Sequence, residues 1–457
     1  MRRNGSRLRP AARRRGRNAS VNGNTGRGSA ARGRPAARLS VLAAACAALL
    51  FVGACGGDDG GDGGDGGQQT GPATAGGAAE LLGPAAPAQG EPVRIGLISE
   101  GKGALADQSI ELDVADATVA YLNKHRSGIA GRPIELVVCE ALGDPAKTTD
   151  CANRMVEEDV VAVVVGTVAA QEAFWRPLHD AGIPLMLYGT SHPLLLADDA
   201  STFSLGDPDF PIIDLPLQVA KEEGADKVTA IVIDVPAATA APRNVAPGVF
   251  AREGIEFELV AIPPGTADMT PQMQQVVSGD PGLVFILGTD AFCISALNGL
   301  QAVGYTGRIS AIAQCITDAT RTAVPADMLE GITVAATAPI ETDNPSSRLY
   351  HAVIDTYGTD GIDTSRPAGM GMFTVLAALQ VATESISGDV MRESVIAAIR
   401  SMPETELPGG GGLRFRCNGK AAPGAPAACV RGGLVATLNG EGRVSAYEVA
   451  GSSPIED

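Results

Sequence analysis

Three patterns in this sequence carry residue types capable of chemistry, and each points to a different kind of protein. Ser191 and His192 stand together in Tyr188-Gly189-Thr190-Ser191-His192-Pro193, a hydroxyl beside an imidazole, the raw material of a nucleophile and its base. Sequence neighbours rarely face each other productively, and a His before Pro193 suits the start of a helix, so hydrolysis is weakly supported. Gly101-Lys102-Gly103-Ala104-Leu105-Ala106 follows a strand pattern and precedes a helical one, as a dinucleotide-binding loop does. Glu100 would set a negative charge against the pyrophosphate, and the gap after the strand is long. No G-x₄-G-K-[ST] phosphate loop and no G-x-S-x-G elbow occur. Asp290 and Phe292 lie just past the run GLVFILG, where they can meet a ligand, or Asp290 can cap the next helix.

The cysteines suggest export. Of eight, Cys46 and Cys55 fall in the N-terminal segment, leaving Cys139, Cys151, Cys293, Cys315, Cys417 and Cys429. An even number outside the cytosol implies disulfides, and the sequential pairs Cys139–Cys151, Cys293–Cys315 and Cys417–Cys429 need only local loops. Zinc would want close C-x₂-C pairs or clustered histidines, and neither occurs, so neither a metal nor a cofactor is expected. His125, His179 and His351 are scattered and read as solvated residues on helix surfaces. Trp175, the only tryptophan, reads as core or surface and not as a ligand cage.

The elements that must position these groups are clearest from Val160 to Pro193. VVAVVV is a β-branched run without polar alternation, as in a strand buried on both faces of a parallel sheet. It stops at Gly166-Thr167. A helical pattern with Phe174, Leu178 and Ala181 follows, Gly182 ends it, and IPLMLY is a second buried strand. This is a βαβ unit, and ligands in such sheets bind beyond the carboxyl ends of the strands. The same alternation begins at VRIGLIS and PIELVVC, pauses at a hinge-like seam near Gly206–Asp209, and resumes through KVTAIVID, IEFELVAI, GLVFILG and RISAIAQ. Helices are expected near 146–157, 212–223, 245–253, 346–357, 369–387 and 390–401. GLRFRC, GLVATLN and GRVSAYEV read as short closing antiparallel strands, with Asn439-Gly440-Glu441-Gly442 as a hairpin connection.

Charge divides the chain. The formal net charge is −17, yet residues 1–54 hold 12 arginines and no acid, leaving −29 on the remainder. So acidic a surface repels phosphate backbones, and nucleic acid is not an expected partner. The apolar run Leu39–Ala54 is short for a bilayer span and follows arginines, as in a signal peptide. Its end, Val52-Gly53-Ala54-Cys55, resembles a bacterial lipobox, which implies lipidation at Cys55 and attachment to the cell membrane. The Gly/Asp-rich tract after it reads, over residues 55–90, as a flexible tether.

In order and spacing, VRIGLIS, GIAGRPIELVVCEALGDPAKTTDCANRMVEEDVVAVVVGTV, AGIPLMLYGTS and GGLRFRCNGK resemble the type I periplasmic-binding-protein fold. The branch most resembled is the leucine/isoleucine/valine-binding lipoproteins of ABC transporters. The resemblance implies a two-lobed α/β protein, each lobe a parallel-rich sheet flanked by helices, with three interlobe crossings. The implied lobes are 91–206 plus 337–401 and 207–336 plus 402–457. It also implies a ligand held by Thr167 and Ala170 after the third strand and by Tyr188, Gly189 and Ser191 after the fourth. Asp107 in the first loop, with Asp290 and Gln314 in the second lobe, completes the candidate set. Where relatives have a hydroxyl in the third-strand loop this chain has Ala169-Ala170, and where they have an acid it has Gln314. The expectation is a non-enzymatic solute-binding lipoprotein that delivers an amino acid, amide or organic acid to an ABC permease by hinge closure. A ligand-sensing or interaction module on the same fold is the alternative.

Overall fold

The strand Ala162–Val165 (β3) sits at the centre of the first sheet, and its Val163, Val164 and Val165 are at most 1% exposed. With neighbours on both edges and helices on both faces, β-branched side chains can be buried on either side, at about 2 kcal/mol each. The computed structural model describes residues 75–457 other than 104–106, 337 and 341. The arginine-rich leader, the apolar run and Cys55 lie outside the described residues.

The first sheet is wholly parallel, in the order β2-β1-β3-β4-β5: β1 is Val93–Ser99, β2 Ile134–Glu140, β4 Leu185–Leu187 and β5 Thr202–Ser204. The second has the order β14-β13-β10-β9-β8-β6-β7. Its parallel part is β6 (Lys227–Ile233), β7 (Glu256–Ile262), β8 (Leu283–Leu287), β9 (Ile309–Ile312) and β10 (Thr333–Ala336). Antiparallel β13 (Gly433–Thr437) and β14 (Glu448–Ala450) extend its edge. A two-residue ribbon pairs β11 (Thr405–Glu406) with β12 (Arg414–Phe415). Each large sheet has its own apolar cores: Leu97, Val164 and Phe373 belong to one, Val163, Phe174 and Leu178 to another, with Ile286 and Phe285 in those of the second sheet.

Helix Pro367–Ala382 is almost entirely buried and packs on helix Ile110–His125 beside the first sheet. Among the described residues the disulfides are Cys139–Cys151, Cys293–Cys315 and Cys417–Cys429. They close sequence separations of 12, 22 and 12 residues.

Several expectations need correction. Residues 75–90 are not tether: helix Ala75–Leu82 leads into a segment whose Ala86 and Ala88 N–H groups donate to Lys124 and Asn123 carbonyls. The boundary at 402 moves to about 431, because Leu407, Leu413, Phe415, Cys417, Cys429 and Val430 join the core of the first sheet. The Ser204 N–H donates to the Ala427 carbonyl and the Ser204 carbonyl accepts the Cys429 N–H, and only from Gly433 does the chain pair with β10. GLRFRC pairs with 405–406 and not with the closing strands. The loop after β6 is replaced by an extra helix, Pro236–Asn244, before the expected one at Ala246–Arg252. His125 and His179 are not simply solvated: His125 bonds the Gly83 carbonyl and the Tyr357 hydroxyl, and His179 meets Asp198.

Candidate functional site

A cavity of about 720 Å³ opens at the carboxyl ends of β3, β4 and β5. Gly166 and Thr167 follow β3, Tyr188 to Ser191 follow β4, and Leu205 to Pro208 follow β5. The second sheet supplies Gln314 after β9, Ala336 at the end of β10 and Gly433 at the start of β13. Arg366, Pro367, Gly371, Met372 and Val375, from the start of the buried helix, form a third wall. This is where parallel sheets present strand-end amides, with few side chains in the way.

The two loops of the first sheet are tied together. Thr190 Oγ1 donates to Gln171 Oε1 at 2.6 Å and accepts the His192 N–H at 2.9 Å, so the loop after β4 is braced on the helix after β3. The Tyr188 ring lies across Gly371, where a Cβ would be 3.5 Å from Tyr188 Cγ. The Ser191 hydroxyl and N–H make no hydrogen bond to protein among the described residues, and Ser191 is exposed at the cavity wall.

The loop after β3 is different. Its Thr167 N–H donates to Glu111 Oε1 at 2.8 Å, and its Ala169 N–H donates to Glu100 Oε1 at 2.9 Å. Glu111 stands in the first turn of helix Ile110–His125, is 1% exposed, and also accepts the Ser99 hydroxyl at 2.5 Å. Burial pushes its carboxyl above the ordinary value, against the hydrogen bonds from Ser99 and Thr167. Gly166 is required by this arrangement, since a Cβ there would fall 2.1 Å from Glu111 Oε2. Glu100 also accepts the Gly143 N–H at 2.5 Å, and Glu140 accepts the Lys102 N–H at 3.2 Å. Within the described part of the G-x-G-x-x-A loop, the Gly101 N–H is taken by the Ser99 hydroxyl and the Lys102 N–H by Glu140, which leaves neither for a phosphate.

At the other end of the cavity, Asp207 clasps two segments that join the sheets. Its Oδ1 accepts the N–H groups of Asp209 and Phe210, and its Oδ2 accepts the Gly432 N–H at 2.9 Å. Burial raises its pKa while these three donors pull it down, the burial effect being larger. Phe210 lies on Gly433, where a Cβ would be 2.3 Å from its ring.

Of the residues proposed from sequence, Thr167, Tyr188, Gly189, Ser191 and Gln314 line the cavity. Ala170, Asp107 and Asp290 do not. Ala170 precedes the helix Gln171–Asp180, and Asp290 bonds the Ala291 N–H in the first turn of its own helix, which Thr289 caps. Asp107 turns its carboxylate to the Ser109 N–H and hydroxyl, while its carbonyl accepts from Arg366. Ser191 makes no hydrogen bond to His192, whose residue does not line the cavity, so the nucleophile reading has no geometric support. Trp175 donates to Asp198 and Thr202 and stacks on His179, away from the cavity.

Glu111, Arg366, Gln108 and Asp207 were not anticipated. Glu111 reads locally as an ordinary first-turn acid in IELDVAD, and only its apolar neighbours Ile110 and Val114 hint at a buried face. Arg366 lies more than 150 residues from the strand-end loops it faces. An arginine before a proline that opens a long apolar helix is the only local signal.

Two interconnected α/β sheets with a cavity at their strand ends define a class of small-molecule binding proteins that close around a ligand. The chain belongs to the periplasmic binding protein family, whose pattern it matches over residues 92–433. Solved structures are similar at low identity. The branched-chain amino acid transporter substrate-binding protein LivJ of Streptococcus pneumoniae, in complex with isoleucine, has 19% identity and a TM-score of 0.58, covering 79% of this chain and 100% of that one. A solute-binding protein of an ABC transporter from R. palustris, in complex with 4-hydroxybenzoate, has 18% identity and a TM-score of 0.61, covering 80% and 98%. An ABC transporter substrate-binding protein from Sphaerobacter thermophilus has 19% identity and a TM-score of 0.60, again over 80% and 98%. No curated protein matches the sequence. Among the described residues no helix is long and apolar enough to cross a membrane.

Proposed function

We propose that this protein binds a small solute in the strand-end cavity and presents it to an ABC permease from outside the cytoplasm, anchored by a lipid on Cys55. The observation that carries this reading is the cavity itself. Its volume, about 720 Å³, suits a small organic molecule, and it is lined by loops of both sheets. Ser191 and Gly189 offer polar groups on the first-sheet side, and Gln314 lines the cavity from the second. Similar proteins carry isoleucine and 4-hydroxybenzoate, so amino acids and organic acids form the first panel to try.

Binding would work by population shift. A ligand seated on the first-sheet loops gains contacts to Gln314 and Ile212 only when the halves approach, so it favours the closed arrangement by that difference in affinity. No covalent step is called for, which agrees with a family of binding proteins and not of enzymes. A thermal-shift screen of the purified protein against amino acids, their amides and small organic acids tests the proposal. At least one class should raise the melting temperature in a saturable way, with one-to-one stoichiometry by calorimetry. No stabilisation by any member would remove solute binding as the function.

A further inference from the structure

The amides that strand-end loops offer to an anion are already occupied on the β3 side, by Glu111 on Thr167 and Glu100 on Ala169. A ligand carboxylate entering the cavity must find its partner elsewhere. Among the described lining residues the only Lys, Arg or His is Arg366. Its guanidinium donates to the Asp107 carbonyl, and among the described residues no carboxylate lies within ion-pair distance of it. Asp107 and Asp363 are close enough to feel its charge, but the carboxylate of each is engaged by a serine, Ser109 and Ser365 respectively. A guanidinium has five donors in a planar fork, so most of this one is open to a planar anion.

Beside it the cavity offers acceptors. Gln108, next to Asp107, lines the cavity with its Oε1 buried and without a hydrogen-bond partner. A buried acceptor left unpaired is costly, and a ligand donor placed there relieves the cost. Glu111, one turn further along, has two of its lone-pair positions filled, by Ser99 and Thr167, and lines the same wall. A cation without a counter-ion and an acceptor without a donor thus sit together, and the rest of the wall is largely apolar: Val168, Phe210, Ile212, Met372 and Leu413.

We propose that Arg366 is the specificity-determining residue of the cavity: it pairs with the carboxylate of an apolar-bodied organic acid whose neighbouring N–H or O–H donates to Gln108. This rests on the solute-binding reading above and assigns the end of the ligand that the protein recognises.

The test is calorimetry of the whole protein against two matched pairs, leucine with leucinamide and 4-hydroxybenzoate with 4-hydroxybenzamide. Whichever pair binds, its carboxylate member should bind about tenfold or more tighter than its amide. In Arg366→Gln that preference should collapse to within about threefold, and Arg366→Lys should restore part of it, because charge survives and the fork does not. An amide that binds wild type as tightly as its acid overturns the proposal, whatever the variants do. So does an Arg366→Gln protein, folded by its melting curve, that keeps the wild-type preference. Absence of binding by all four, together with a blank thermal-shift screen, would instead remove the solute-binding reading on which the assignment stands.

Discussion

The loops after β3 and β4 occupy equivalent positions at the same edge of the same sheet, yet their donors have opposite fates. After β3, the Thr167 and Ala169 amides are held by Glu111 and Glu100. After β4, Ser191 keeps its hydroxyl and amide uncommitted among the described residues, while Thr190 is spent on bracing the loop. One loop has its amides satisfied internally, and the other keeps a polar residue without a protein partner among the described residues. The difference lies in two carboxylates, Glu111 in the first turn of its helix and Glu100 after β1, which reach the β3 loop, while among the described residues no carboxylate accepts from the Ser191 N–H after β4.

The sharpest way to break this comparison is to deny Glu111 its seat. Gly166→Val places methyl groups where Glu111 Oε2 now lies, since even a Cβ would be 2.1 Å from it. Urea unfolding should show a loss of roughly 3 kcal/mol. Glu111→Ala alone leaves the Thr167 N–H and the Ser99 hydroxyl without partners and should cost about 2 kcal/mol. In the double variant the two losses should not add, because the clash has gone; additive losses would mean that Gly166 serves something else. Excess formate should raise the melting temperature of Glu111→Ala more than that of wild type, because it can also re-enter the vacated carboxylate site.

The pH dependence separates two buried carboxylates of the same half. Burial would raise Asp198, but hydrogen bonds from Thr202, the Ala200 N–H, Trp175 and the Ser201 N–H outweigh it and hold Asp198 at about 2, below the ordinary 3.8. Its stabilisation is present above pH 4 and is lost as pH falls through 2, so Asp198→Asn should cost about 2 kcal/mol at pH 7 and almost nothing at pH 2. Glu111 runs the other way. Its carboxyl is raised, so its contribution is full below the unfolded value of 4.5 and declines as pH rises through the folded one. Glu111→Gln should gain on wild type in melting temperature from pH 4 to pH 8; a constant difference would show that the carboxyl titrates normally.

The smallest effect on stability is expected at the open loop. Ser191→Ala removes a hydroxyl with no protein partner, so the melting temperature should stay within about 2 °C while ligand affinity falls about five- to tenfold. Unchanged affinity would place the ligand away from β4.

The sequence made the strands legible because VVAVVV and IPLMLY have no polar alternation, and a strand buried on both faces needs none. The disulfides were legible because each pair is local. The occupied state of the β3 loop was not. Glu111 sits in a chemically ordinary helix start, and its role follows from a helix docking beneath a strand end more than 50 residues away, which no local pattern encodes. The placement of 402–430 was hidden for a related reason: GLRFRC looks like the closing strands in composition, and its place is set by distant contacts, the bonds of Ala427 and Cys429 to Ser204 and the packing of Leu413 and Phe415 in the first core. Arg366 was hidden by distance along the chain. Residues 75–90 were hidden by composition, since a Gly/Ala/Pro-rich segment reads as tether even where its N–H groups are bonded to a helix end.

The most direct test of the account is a crystal structure of the protein with a solute retained from its own cells or found by screening. The account predicts that solute between the two sheets, within hydrogen-bond distance of Ser191, with its carboxylate on Arg366 and Glu111 still bonded to the Thr167 N–H. A solute bound outside this cavity, or one whose carboxylate has displaced Glu111 from Thr167, would contradict it.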